Sequence, residues 1–105
     1  MNFIQKVKVG NIYTKYTLGL SNIALIRWEP KSNTGIHNHD GKDCDFIILN
    51  GCLHESRLSD KYLGSLYSSK TIEPLIKTTI KDTDGYHLVS NFDDRVKYSI
   101  HRYYD

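Results

Sequence analysis

The sequence predicts an all-β fold, a small sandwich or barrel. Short runs rich in Ile, Val, Tyr, Thr and Leu recur along the chain, each closed by Gly, Asn, Asp or Ser. That is the pattern of short strands punctuated by turn residues. No window of eleven residues carries the apolar spacing of an amphipathic helix. The 105 residues fit one domain over 1–105 and can bury a core without disulfides.

Taken in order, strands are expected near 3–9, 12–17, 23–29, 45–49, 52–58, 64–69, 76–81, 87–90 and 96–103. Val9-Gly10-Asn11, the segment 18–22 and Asn50-Gly51 read as hairpin turns. In the second strand Tyr13 and Lys15 share a face, because side chains alternate with a period of two. In the third, Trp28 is expected to fill one end of the barrel, leaving Arg27 toward solvent or an acidic neighbour. Phe46-Ile47-Ile48-Leu49 is the most apolar run. If it is extended, Cys44 and Cys52 on either side of it are too far apart for a disulfide. In the last strand Ser99, His101 and Tyr103 share one face.

Net charge is +2, and the lysines are scattered from Lys6 to Lys97. The basic stripe that nucleic acid requires is missing. No apolar run approaches the roughly 20 residues of a membrane span, and the first six residues lack the apolar stretch of a secretion signal. A cytoplasmic setting with reduced thiols is the expectation.

Five histidines occur. His37 and His39 are one residue apart, so on a strand both imidazoles enter the same face. Taken alone, the pair equally fits two solvent or core histidines, since so short a motif is weak. Its surroundings add weight. The string Gly35-x-His37-x-His39-x4-Cys44-x6-Gly51 is followed downstream by His87-x3-Asn91. These two blocks resemble the two motifs of the cupins, whose family fold is a small β-barrel (double-stranded β-helix, or jelly roll) with a metal inside. Most cupins carry a metal-binding glutamate where this chain has Cys44.

That cysteine resembles the cysteine dioxygenase branch. The similarity runs from Tyr13 to Tyr103, through Trp28, Pro30, His37, His39, Cys44, Gly51, Leu53 and Glu55, to a closing Ser99-x-His101-x-Tyr103 strand. The resemblance implies one Fe(II) per chain on His37, His39 and His87. It also implies O2 as co-substrate and oxidation of L-cysteine to cysteine sulfinic acid. Ser99, His101 and Tyr103 would form a relay in which His101 holds the Tyr103 hydroxyl, with a thioether joining Cys44 to Tyr103. Where the family has Tyr-Thr-Arg to grip the substrate carboxylate, this chain has Tyr13-Thr14-Lys15. Lysine is a compact point charge rather than a planar fork.

Lys15 is otherwise an ordinary solvated lysine, His54 a surface histidine and Cys52 a packing residue. Three readings follow: a cysteine dioxygenase; a dioxygenase for another small thiol (a mercaptocarboxylate, cysteamine or an N-terminal cysteine); or a metal-binding cupin that is not an enzyme. The expected partner is a small thiol rather than nucleic acid or membrane, with a monomer favoured.

Overall fold

A computed structural model describes residues 4–19 and 21–105. Phe3, where the first strand is expected to begin, and Leu20, inside the expected 18–22 turn, lie outside the described residues. Among the described residues ten strands form: β1 (Ile4–Val9), β2 (Tyr13–Leu18), β3 (Ile23–Trp28), β4 (Ser32–Asn33), β5 (Asp43–Ile48), β6 (Leu53–Leu58), β7 (Leu66–Ile72), β8 (Thr78–Ile80), β9 (Tyr86–Asn91) and β10 (Lys97–Tyr104). Single 3-10 turns occupy Leu63–Ser65 and Asp82–Asp84, and no α-helix occurs among the described residues.

The strands make two antiparallel sheets. One has six strands in the order β1-β2-β3-β10-β5-β8, the other four in the order β4-β9-β6-β7. The last strand thus inserts between β3 and β5, with Ser99 opposite Ile26 on one side and Ile48 on the other. Inward-facing residues from both sheets make one core of Ile26, Trp28, Cys44, Phe46, Ile48, Leu53, Ile72, Ile80 and Val89, against which Tyr13 and Tyr103 pack. This is the sandwich that the strand pattern predicts, in the jelly-roll form that the cupin resemblance implies. Among the described residues no helix is long and apolar enough to cross a membrane.

Several expectations change in detail. Asn50-Gly51 is a turn but not a hairpin, because β5 and β6 lie in different sheets. The chain crosses between sheets here, and Asn50 anchors the crossing. Its Oδ1 accepts from the Tyr98 amide at 2.8 Å, and its Nδ2 donates to the Val96 carbonyl at 3.0 Å. Gly51 is required at φ +67°: a Cβ there would lie 2.5 Å from the buried Lys97 Nζ. The strand expected over 64–69 begins later, after the Leu63–Ser65 turn, and runs to Ile72. The one expected over 76–81 shortens to three residues behind Leu75, whose φ is +63°. Both cysteines are free, with Cys44 fully buried, and Arg27 meets Glu29 at 3.1 Å.

Candidate metal centre

His87 sits on the inward face of β9, 3 % exposed. His37 joins it through one isolated antiparallel bridge, with reciprocal amide–carbonyl bonds of 3.0 and 2.8 Å. His39 lies beyond that bridge in irregular chain, just before Asp40 and Gly41, both at positive φ. The period-two argument therefore places the pair correctly for an incomplete reason: one bridge, not a strand, orients them. The sharp Asp40-Gly41 turn then returns the chain to β5.

Two of the rings have their orientation fixed by a hydrogen bond from the outer nitrogen. His37 Nδ1 donates to the Gly35 carbonyl at 3.1 Å. His87 Nδ1 donates to the Glu55 carboxylate at 2.9 Å. Both then offer Nε2 as a lone pair toward the cavity. Nε2 of His39 lies 3.1 Å from Nε2 of His87, and the three candidate ligand atoms lie within 4.8 Å of one another. Burial, with the neighbouring imidazoles adding to it, lowers the pKa of His37 and pushes that of His39 to about 4. Both are neutral at ordinary pH, as a metal ligand must be.

Three imidazoles converging inside a cavity fit a first-row transition metal ion. Nitrogens held to such an ion at about 2.1 Å are separated by roughly 3 Å when adjacent, close to the His39–His87 spacing. Of the five histidines, His54 stands apart. It is on the outer face of β6, bonded to Ser69 Oγ at 2.7 Å and tilted against Phe92.

Facing this group across a cavity of about 580 Å³ are residues of the six-stranded sheet, including Tyr13, Lys15, His101 and Tyr103. Lys15 is not a solvated surface lysine. Its Nζ lies 4.2 Å from the centroid of the Tyr103 ring, and burial lowers its pKa although nearby Cys44 opposes this. Tyr13 packs on Trp28 with ring centroids 5.4 Å apart, and burial raises its pKa.

Cys44 and Tyr103 are direct partners across the β5–β10 ladder. Burial raises both pKa values, that of Cys44 to about 12. The expected relay takes a different course at its end. The Trp28 indole N–H donates to Ser99 Oγ at 2.8 Å, and Ser99 Oγ lies 2.7 Å from His101 Nε2. His101 Nδ1, however, faces Cys44 Sγ at 3.7 Å instead of holding the Tyr103 hydroxyl. With Ser99 donating to Nε2, the Nδ1–H points at sulfur, and the thiol faces the Asp45 carbonyl at 3.6 Å. The His101 ring stacks on Phe46 at 4.9 Å, and its pKa is pushed down to about 3, burial being the largest cause.

Glu55, which the family block includes but to which motif reasoning gives no role, also stands at this site. It is fully buried, and its partner His87 is a candidate ligand. A signal was available: it alternates with Leu53 on the inward face of β6, and a lone inward carboxylate needs a partner.

The family model for cysteine dioxygenase type I matches residues 6–105. The chain belongs to that family. A search of curated protein sequences finds no match. Among solved structures, this cysteine dioxygenase family member is similar to the cupin domain of Drosophila melanogaster CENP-C, with TM-score 0.74 and 13 % identity, covering 96 % of this chain and 75 % of that one. It is also similar to AerE from Microcystis aeruginosa, with TM-score 0.76 and 13 % identity, covering 95 % and 44 %. An oxalate oxidase in complex with glycolate matches with TM-score 0.63 and 18 % identity, over 77 % of this chain and 40 % of that one. Identities this low establish the cupin fold that the cysteine dioxygenase family shares with these proteins, and nothing of their chemistry.

Proposed function

We propose that the chain is an iron-dependent thiol dioxygenase that converts L-cysteine and O2 to cysteine sulfinic acid. One observation carries the reading: a three-histidine group, a half-buried cation at Lys15 and the Tyr103–Cys44 pair all meet in or beside one cavity. His37, His39 and His87 would hold Fe(II). The ion supplies the means to bring thiol sulfur and O2 together. With no carboxylate among the three histidines, the bound ion would keep its charge and would favour the thiolate form of the substrate.

The remaining roles belong to the protein. Lys15 offers the substrate carboxylate a charge-assisted hydrogen bond. Tyr13, sharing its strand face, packs Trp28 and shapes that wall. Tyr103 presents a neutral phenol over the cavity, its edge 5.7 Å in centroid distance from His39. Ser99 and Phe46 hold the His101 ring, which stays neutral and therefore adds no second positive charge near the metal. Both oxygen atoms of O2 end on sulfur, so thiol plus O2 balances the sulfinic acid without another reductant.

Because Lys15 replaces a planar fork by a point charge, a different carboxylate-bearing thiol is the second reading. The experiment is purification under reducing conditions, metal analysis, and O2 uptake with cysteine, a mercaptocarboxylate and cysteamine. The expected result is bound iron, consumption of O2 that depends on a carboxylate-bearing thiol, and a sulfinate product by mass. Iron retention with no thiol-dependent uptake for any of the three would leave a metal-binding cupin without this activity.

A further inference from the structure

We infer that Glu55 is a positioning residue for the metal, returning through His87 the negative charge that the three-histidine group lacks. This rests on the metal-centre reading above and goes beyond it. Cys44 stands where most cupins have a ligating glutamate, and among the described residues no carboxylate joins the three histidines as a ligand. Glu55 approaches from behind instead. Its Oε2 accepts the His87 Nδ1–H at 2.9 Å, and neither side chain has appreciable contact with solvent. A carboxylate bonded to the outer nitrogen fixes the tautomer and ring angle and makes the inner nitrogen more basic toward a metal.

The carboxylate is itself held in place. Arg57, two residues along β6, donates through Nε to Glu55 Oε1 at 2.9 Å. The other guanidinium nitrogens donate to the Thr79 carbonyl at 2.8 Å and to Asp84 Oδ2 at 3.3 Å. Asp84 lies in the turn directly before β9, which carries His87. Arg57 also sits opposite His87 in the β6–β9 ladder, and Glu55 sits opposite Val89. One guanidinium thus fastens both the carboxylate and the loop that delivers the histidine.

A purely structural role for a buried Glu–Arg pair is the alternative, and metal affinity separates the two. The test titrates the whole purified chain with Co(II), and with Fe(II) under anaerobic conditions, against a competing chelator. Glu55→Gln keeps an acceptor and deletes the charge; its affinity should fall about tenfold, and that of Glu55→Ala up to about a hundredfold. The paired variant Glu55→Met with Arg57→Met guards against misfolding, since apolar replacement of a whole buried ion pair is often tolerated. It should still unfold cooperatively without metal, below the wild-type temperature because the Arg57 bonds to Thr79 and Asp84 are lost too, and bind metal at least tenfold more weakly. His54→Gln should bind like wild type.

Nitrogen NMR of the apo-protein gives a second readout. The His87 Nδ1–H resonance should lie far downfield in wild type and move upfield in Glu55→Gln. A folded paired variant with wild-type affinity would reduce Glu55 to a fold residue and overturn the inference. Failure of the wild-type chain to bind either metal would instead overturn the metal-centre reading, and this inference with it.

Discussion

The Lys15 ammonium lies 4.2 Å from the Tyr103 ring centroid, and among the described residues no carboxylate pairs with it. A half-buried cation over an aromatic face, with no carboxylate paired to it among the described residues, can take an anion. Lys15→Met keeps the stem and deletes the charge. A charge-assisted hydrogen bond is worth about 1.5–3 kcal/mol, so kcat/KM for cysteine should fall about ten- to a hundredfold. Cysteamine, which has no carboxylate, should change little, and equal losses on both thiols would remove Lys15 from carboxylate recognition. Burial lowers the Lys15 pKa, so its cation is lost earlier than that of a free lysine as pH rises. The cysteine rate should therefore fall on the alkaline side, and Lys15→Arg, charged throughout, should extend the active range upward.

At the scale of elements, the β5–β10 ladder does what neither strand does alone. Residues directly opposite in an antiparallel pair bring their Cβ atoms within about 4.5–5.5 Å, and the register sets Cys44 against Tyr103. That is within reach of a bond between sulfur and ring. After aerobic turnover with thiol and iron, the intact mass should drop by one hydrogen pair, since a thioether replaces S–H and ring C–H while O2 takes the electrons. Cys44→Ser should abolish the drop; its persistence there would place the oxidation elsewhere.

Much of this ladder was legible from sequence, because strict alternation at Ser99, His101 and Tyr103 needs only a strand to be meaningful. The partner strand was not. Inserting β10 between β3 and β5 is a long-range pairing, and no local signal specifies it. The same limit explains Asn50-Gly51, whose residues report a turn while the choice between hairpin and sheet crossing lies in distant contacts. It explains the end of the relay too: that His101 faces Cys44 instead of the Tyr103 hydroxyl depends on side-chain torsions that strand period leaves open. Glu55 was legible in principle, since an acidic residue in phase with Leu53 breaks the apolar inward face.

Over the whole molecule, the two sheets divide the labour. His87 belongs to the four-stranded sheet, and His37 is bridged to it there, whereas Tyr13, Lys15, His101 and Tyr103 line the opposite wall on the six-stranded sheet. A metal would join the segment of His37 and His39 to β9, about fifty residues onward, and would bind only when both are in place. Whatever binds the folded chain and not the unfolded one stabilises it by mass action, about 2.7 kcal/mol at a hundred times the Kd. In a domain of roughly this length each kcal/mol moves Tm by about 4–8 °C. Fe(II) at that excess, under anaerobic conditions, should therefore raise Tm by about 10–20 °C. His37→Ala, His39→Ala and His87→Ala should each lose most of that rise, because two remaining imidazoles hold the ion far more weakly. His54→Ala, altered on the outer face of β6, should keep it. A rise that survives in His87→Ala but vanishes in His54→Ala would move the metal out of the cavity and onto the surface of the smaller sheet.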